Sequence, residues 1–303
     1  MRGPASPVAH AVDHVILAVA NLEAAASTFA SSLGFHVGGG GVHPQFGTIN
    51  RLIVLDTGYL ELIAAQPGAA PQGFIGALLR QNREGWAGYA LETADPAAAA
   101  VTLREREFTV DGPDAGRLVT TNGYDRGWRT VRLRDGAEQG LPFLIRHEQD
   151  GPEQRRLLAG AEGLTSHANG ARSIAGLTIA VRDLDAAAGQ YHWIFDLTRD
   201  GDMASDPMLG ARVLPHRLPS GTIVSLAAPQ SPGVGPVAAA LARTGEGLFA
   251  ITLTVDDLPG TVRALRGRGV GVRVDEPNGV LVAAQIHMGH THGARICLVG
   301  SSG

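Results

Sequence analysis

Three side chains near the start of the chain have the chemistry of metal ligands or proton carriers: His14, His43 and Glu61. Imidazole and carboxylate groups bind Mn, Fe, Co, Ni and Zn, and a neutral imidazole can also carry a proton near neutral pH. A lone histidine in an apolar strand is usually structural. Glu61 stands between Leu60 and Leu62 in a predicted strand. If the two leucines pack on the outer face of a cupped sheet, the carboxylate of Glu61 points into the cup. The elements that carry these side chains therefore decide what they do.

The composition excludes several other chemistries. All 25 residues in the lysine-plus-arginine count are arginine, which excludes Schiff-base catalysis and the lysine of a phosphate-binding loop. Cys297 is the only cysteine and lies in an apolar strand, so no intrachain disulfide can form. Since no Gly-x-Ser-x-Gly sequence occurs, nucleophilic catalysis has little support. A net charge of -4 without a basic stripe argues against nucleic acid as a partner.

Length and hydropathy indicate a globular protein with two ordinary domains or one large one. The chain has 303 residues, of which 44% are hydrophobic and 18% charged. No apolar run approaches the roughly 18 residues of a membrane span. The N-terminus lacks the features of a signal peptide. We expect a cytoplasmic protein that does not contact a membrane.

Four segments of the sequence repeat one pattern, beginning at Asp13, Ala87, Ala175 and Phe249. Each has an apolar, β-rich run, a polar residue, and then an Ala-rich or Leu-rich stretch with helical spacing. Shorter β-like runs follow, in the first copy over roughly 35–38, 48–55 and 58–64. Each unit is therefore predicted to be a βαβββ module of roughly 55 to 65 residues.

The first copy shows the physics of the module. Val15, Leu17 and Val19 alternate with the period of a strand, and Asn21 can cap the helix that follows. Gly34 can adopt the left-handed conformation that ends a helix.

The spacing of the copies predicts two domains of two modules each. The domains are 11–150, with modules 11–66 and 84–147, and 172–300, with modules 172–228 and 246–299; the polar, Gly-rich stretch 151–171 is the predicted linker. The predicted fold class is α+β, because two modules side by side can form a cupped mixed sheet with helices outside.

The pattern resembles the vicinal-oxygen-chelate superfamily, which includes glyoxalase I, extradiol dioxygenases, methylmalonyl-CoA epimerase and bleomycin-resistance proteins. The resemblance is most specific over 11–147 and weaker over 172–299. The motifs that carry it are Asp13-His14, Leu33-Gly34-Phe35, Gly40-Gly41-Val42-His43 with Gly47-Thr48-Ile49-Asn50, and Tyr59-Leu60-Glu61.

The resemblance implies one divalent-metal site at most, with His14 and Glu61 as ligands. His43 is nominated to complete the site or shuttle a proton, and Thr48 and Asn50 to line the substrate pocket. His147 is a poorer third ligand, because it is expected past the end of its strand. Bound Mn, Fe, Ni, Co or Zn would polarise an oxygen of a small oxygenated substrate. The implied function is a metal-dependent lyase, isomerase or dioxygenase-like enzyme.

The other modules depart from the family pattern. Their first-strand matches to His14 are Gly88, Gly176 and Ala250, and none can bind a metal. The matches to Glu61 lie near Phe143, Ser225 and Cys297.

Three readings follow from this incomplete ligand set. The first is the enzyme, and the second is a non-catalytic protein of the bleomycin-resistance kind that sequesters a small molecule without metal. In the third, the C-terminal half only closes the cup or forms a homodimer.

Two further groups of histidines carry competing interpretations. His287, His290 and His292 could hold a metal in a loop, but the family pattern places them in the connection before the last strand. His167 is interpreted as a linker residue that docks on a domain.

Overall fold

A computed structural model gives the fold, and it describes residues 7–80, 83–119, 123, 125–149, 151–159 and 165–301. These residues form two large mixed β-sheets with short helices, so the predicted α+β fold class is confirmed.

The first sheet contains eight strands from the N-terminal half. Their spatial order is β2 (Val42–His43), β3 (Thr48–Val54), β4 (Tyr59–Ala65), β1 (Ala11–Ala18), β5 (Gly85–Glu92), β8 (Phe143–His147), β7 (Asp125–Leu133) and β6 (Val110–Val119). Strand β1 pairs in parallel with β4 and antiparallel with β5, so the first strands of the two modules join them into one sheet. The strand predicted over 35–38 is absent. Gly38 makes one isolated bridge to Leu52, and the short strand β2 forms later instead.

The second sheet repeats this arrangement in the C-terminal half. Its order is β10 (Thr198–Arg199), β12 (Ala211–Arg217), β13 (Ile223–Pro229), β9 (Ala171–Ala180), β14 (Gly247–Val255), β17 (Ile296–Gly300), β16 (Ala283–Ile286) and β15 (Val272–Asp275), with β11 (Ala204–Asp206) paired to β12. Again the first strands, β9 and β14, join the two modules.

The helices of the repeats begin where the polar residue of each repeat stands. Asn21, Asp95, Asp183 and Asp257 each accept a backbone N–H from the first turn that follows. The helices are α1 (Leu22–Ser27), α2 (Gly73–Arg80), α3 (Pro96–Glu105), α4 (Gly151–Leu158), α5 (Leu184–Phe195), α6 (Pro236–Thr244) and α7 (Leu258–Gly267). A π-helical turn, Thr28–Ser32, continues α1 and ends before Gly34, which has a φ of 77°.

Alternation along β1 and β4 separates an apolar face from a polar one. Val15, Leu17, Leu60 and Leu62 are fully buried in the main hydrophobic cluster. Since neighbouring side chains in a strand point to opposite faces, His14 and Glu61 share the other face of the sheet. This is the orientation that the sequence left open for Glu61.

One hydrophobic cluster extends across both halves of the chain. It includes Leu17 and Tyr89 from the first sheet together with Tyr191 and Leu253 from the second half. The hydroxyls of Tyr89 and Tyr191 form a buried hydrogen bond of 2.7 Å. The two sheets therefore share a core. The limits of the two domains stay a prediction.

The segment predicted as a linker contains α4 and is anchored to the first sheet. Leu158 packs with Leu52, Val54 and Tyr59 in a small buried cluster. His167 accepts a hydrogen bond from the backbone N–H of His36 through Nδ1, and its Nε2 donates to the carbonyl of Val54. The anchored segment therefore covers one end of the first sheet. Within the described ranges, none of the helices has the length and apolar character to cross a bilayer.

Candidate functional site

His14 and Glu61 lie side by side on neighbouring parallel strands, β1 and β4. Both are buried, with 3% and 7% of their surface exposed. The Nε2 atom of His14 is 3.6 Å from Oε2 of Glu61. The structure thus brings together the two side chains that the resemblance nominated as ligands.

Asp13 fixes the orientation of the His14 ring. Its Oδ1 atom is 2.5 Å from Nδ1 of His14. A carboxylate only accepts hydrogen bonds, so Nδ1 carries a proton and donates it to Asp13. In a neutral imidazole this leaves the lone pair of Nε2 facing Glu61.

Asn50 fixes Glu61 in the same way. Its side-chain Nδ2 donates to Oε1 of Glu61 at 2.6 Å, and its Oδ1 accepts from the backbone N–H of Gly41 at 2.7 Å. The backbone contact determines which end of the Asn50 amide faces the carboxylate. One oxygen of Glu61 is therefore held by Asn50 while the other faces His14.

His43 also lies next to the side-chain amide of Asn50. Its Nδ1 is 3.1 Å from the hydroxyl of Thr48 and its Nε2 is 3.5 Å from Nδ2 of Asn50. Burial lowers the pKa of His43, and Arg126 and His14 act in the same direction while Glu61 opposes them. His43 is therefore neutral at neutral pH, and its role as a third ligand stays a prediction.

The predicted site residues form one buried polar cluster, but a three-ligand metal centre is not assembled within it. Among the described residues, no three His, Cys, Asp or Glu side chains form a group arranged to hold a metal ion. His14 and Glu61 would therefore supply only two ligands to a metal, and two protein ligands alone make a weak metal site.

Asp13 is shared with a second histidine, His147. Nε2 of His147 is 3.2 Å from Oδ2 of Asp13. Burial favours a raised pKa for Asp13, but His147 and His14 together hold that pKa well below its ordinary range. His147 is the last residue of β8 rather than a residue beyond the strand, which corrects the sequence-based expectation. Asp13 thus stays ionised between the two imidazoles.

Tyr59 connects His14 to a buried arginine that the sequence analysis did not single out. Its ring stacks on His14 with centroids 4.7 Å apart, and its hydroxyl accepts a hydrogen bond of 2.8 Å from Nη2 of Arg126. Burial raises the pKa of Tyr59 well above its ordinary value, so the phenol stays neutral. One sequence signal for Arg126 was available. Trp128 follows it by two residues and Thr130 by four, so the three side chains lie on one face of strand β7.

These side chains line a cavity of about 930 Å³ on the polar face of the first sheet, and we call this cavity the cup. Ile75 and Leu78 of α2 line one part of its wall. Phe249 and Arg295, from the C-terminal half, line another part. The second half of the chain therefore helps to enclose the site.

The matching positions of the second sheet carry no site of this kind. Ala250 and Gly176 occupy its first strands, and Ser225 and Cys297 its last ones. Burial raises the pKa of the Cys297 thiol to about 11, so it remains protonated and unreactive at neutral pH.

The histidines near the C-terminus serve the connection before β17. The side chain of His287 accepts the backbone N–H of Gly289 and so caps the short 3₁₀ turn Met288–His290. Nδ1 of His292 lies 3.1 Å from Glu84, across the boundary between the two halves. These contacts agree with the structural interpretation of the stretch rather than with a metal loop.

Several solved structures share this fold. A hypothetical protein from Staphylococcus aureus is 14% identical and superposes with a TM-score of 0.65, covering 95% of this chain and 98% of that one. A triple mutant of 4-hydroxymandelate synthase from Streptomyces coelicolor is 17% identical with a TM-score of 0.62, covering 98% and 93%. Methylmalonyl-CoA epimerase from Mycobacterium tuberculosis is 25% identical over 46% of this chain and 93% of its own, with a TM-score of 0.40.

No curated protein matches the sequence. The model of the glyoxalase-like domain family matches residues 12–195, which is more than half of the chain and contains the whole polar cluster. The chain therefore belongs to the glyoxalase-like domain family, within the vicinal-oxygen-chelate superfamily.

Proposed function

We propose that this protein is a metal-dependent lyase, isomerase or dioxygenase-like enzyme that acts on a small oxygenated molecule in the cup. His14 and Glu61 would hold one divalent ion of the Mn, Fe, Co, Ni or Zn type. The reaction types come from the family resemblance, and the geometry of the cup does not choose among them.

The observation that carries the proposal is the close approach of Nε2 of His14 and Oε2 of Glu61, which are 3.6 Å apart in a buried site. When Nε2 carries no proton, both atoms are hydrogen-bond acceptors, and a cation bound between them stabilises the pair. This separation is less than twice the roughly 2.1 Å length of a metal–nitrogen or metal–oxygen bond, so one ion can reach both atoms. A proton on Nε2 is the competing cation.

The partners behind the two ligands match those of a metal site. Metal-bound histidines commonly donate their other N–H to a carboxylate, as His14 does to Asp13, and ligating carboxylates are themselves hydrogen-bonded, as Glu61 is by Asn50. The donor set fits the metal, although it lacks a third protein ligand.

The chain's own residues would divide the work around the substrate. Asp13 keeps the proton on Nδ1 of His14, and Asn50 keeps Glu61 in place. His43 is neutral and near Asn50, so it can accept a proton from a substrate bound in the cup. The metal, when bound, would supply polarisation of a substrate oxygen.

A second candidate is a protein that sequesters a small molecule without catalysis. The two-ligand set favours it, because within the described ranges no third His, Cys, Asp or Glu joins His14 and Glu61. The size of the cup, about 930 Å³, suits a small-molecule ligand in either case.

Metal analysis distinguishes the two candidates. Purified protein is dialysed to equilibrium against buffer that contains saturating Mn, Fe, Co, Ni or Zn, and the bound metal in excess of the buffer is measured by mass spectrometry. We expect close to one bound ion per wild-type chain. In His14→Ala and in Glu61→Gln the bound metal per chain should fall by roughly tenfold or more, because the one remaining ligand cannot hold the ion.

His287→Ala is the matched control, since that histidine is exposed and lies outside the cup. Circular dichroism checks that each variant is folded. A wild-type protein that retains no metal under any of these conditions would contradict the enzyme and leave the sequestering protein ahead.

A further inference from the structure

Among the residues that the structure describes, the guanidinium of Arg126 is a buried cation that no carboxylate pairs with. Only 5% of the residue is exposed, yet it lines the cup. Nη2 donates to the hydroxyl of Tyr59, whereas Nε and Nη1 have no hydrogen-bond partner. Three N–H groups of a charged side chain are therefore unsatisfied in a buried site, which is costly unless a ligand pairs with them.

The described groups that contact Arg126 do not neutralise this charge. Tyr59 is a neutral phenol, and the other contacts are the rings of Tyr59 and Trp128, which lie 5.5 and 5.2 Å from the guanidinium carbon. Two other arginines that line the cup have carboxylate partners: Arg132 pairs with Asp114, and Arg134 pairs with Asp111 at 3.1 Å. Arg295 also has an unpaired Nε, but it is only half-buried and its guanidinium stacks on the ring of Phe249. Arg126 differs from these three because it is buried and both its Nε and its Nη1 lack a partner.

We infer that the cup binds its substrate through a carboxylate or similar oxyanion, which pairs with the free N–H groups of Arg126. Guanidinium groups bind carboxylates through charge-assisted hydrogen bonds, and these are strongest where water is excluded. A ligand of opposite charge would offset the cost of burying the guanidinium of Arg126.

The contacts of Tyr59 connect this anion site to the candidate metal site. Tyr59 touches Arg126 through its hydroxyl and His14 through its ring, so a small acid held at Arg126 has its remaining atoms close to His14 and Glu61. The inference rests on the proposed function for the identity of the cup as the substrate site, and it narrows the substrate to a small oxygenated organic acid.

The test uses the intact protein after removal of metal with EDTA. Benzoate, pyruvate and acetate are titrated at millimolar concentrations by calorimetry, with benzamide as a neutral molecule of the same shape as benzoate. We expect at least one carboxylate to bind and benzamide to bind at least about tenfold more weakly.

Arg126→Gln should weaken carboxylate binding by about thirtyfold or more, since it removes one member of a buried charged pair. Arg126→Lys, which keeps the charge but not the planar donors, should lose less. Arg129→Gln is the matched control, because Arg129 is an exposed arginine on the same strand and should bind carboxylates as the wild type does.

Thermal melting keeps the test informative if binding is weak. Without ligand, Arg126→Gln should melt at the same temperature as the wild type or higher, because an unpaired buried charge is gone. The increase in Tm that benzoate gives the wild type should disappear in the variant.

The outcomes separate this inference from the metal proposal. Carboxylate binding that survives EDTA and Glu61→Gln but not Arg126→Gln supports the anion site, even if no metal ever binds. If carboxylates bind only to the metal-loaded protein and Arg126→Gln has no effect, the metal is the anion site and the inference is wrong. It is also wrong if the wild type binds none of the three acids.

Discussion

The carboxylate of Asp13 is shared by the imidazoles of His14 and His147, at 2.5 and 3.2 Å. This sharing keeps Asp13 ionised and ties the first strand of one module to the last strand of the other. Because Asp13 only accepts, it also determines which nitrogen of His14 is left for the cup. Asp13 is thus a positioning residue, which acts through His14 and does not itself face the substrate.

Replacement of Asp13 by Asn should weaken metal binding at His14 and Glu61 by about tenfold to a hundredfold. The Asn amide can donate to Nδ1, which moves the ring proton to Nε2 and blocks the ligating nitrogen. Competition with a metal chelator of known affinity measures the change. Asp125→Asn, which alters an exposed ion pair with Arg117, is the control. An unchanged affinity in Asp13→Asn would show that the tautomer of His14 does not matter.

At the scale of residues, the sequence predicted that His14 and Glu61 lie side by side with Asn50 and His43 nearby, but it did not point to Arg126. His14 and Glu61 stand in motifs with fixed spacing, so their positions could be assigned without coordinates. Arg126 stands in none of these motifs, and an arginine in a strand ordinarily faces water, so its spacing from Trp128 and Thr130 was not enough to single it out. Its burial depends on Tyr59 and Trp128, which come from different modules, and such pairing across modules is not encoded in local spacing.

At the scale of elements, the four repeats were predictable because each carries its own start signal. Asn21, Asp95, Asp183 and Asp257 cap the helices as their positions indicate. The helices α2, α4 and α6 were not predicted. They have only eight or nine residues, and they pack on the first sheet (α2 and α4) or the second (α6) rather than forming part of a repeat, so periodicity within the repeats does not reveal them.

His167, which anchors the segment after α4, should make the stability of the protein depend on pH. Burial lowers its pKa from 6.5 to about 4, although the hydrogen bond to the Val54 carbonyl acts in the opposite direction. Between these two values the unfolded chain binds a proton that the folded one does not, so stability is complete above pH 6.5 and is lost as the pH falls towards 4.

Urea unfolding at several pH values, compared between the wild type and His167→Gln, measures this effect. The wild type should lose about 2 kcal/mol more than the variant over the interval. His287→Gln should follow the wild-type curve, since that side chain is exposed. Parallel curves for the wild type and His167→Gln would mean that His167 takes up its proton without leaving its anchoring position.

At the scale of the whole molecule, the two halves share one core. The main hydrophobic cluster contains side chains from both sheets, and Tyr89 and Tyr191 are fully buried against each other. The C-terminal half has no histidine or glutamate at the positions that match His14 and Glu61, but it provides Phe249 and Arg295 to the wall of the cup. Its structural contribution to the site therefore follows from contacts that the repeat pattern alone could not show.

A shared core predicts a single cooperative unfolding transition for the full chain, because neither half can keep its buried surface out of water alone. Calorimetry should give one peak. A chain ending at residue 171 should expose the apolar side of its sheet, bind a hydrophobic dye and aggregate. Tyr191→Phe should lower the free energy of unfolding of the full chain by about 1 to 3 kcal/mol, since the hydroxyl of Tyr89 loses its buried partner. Two separate transitions, or a soluble and compact fragment 1–171, would show instead that the halves fold independently and meet only as finished domains.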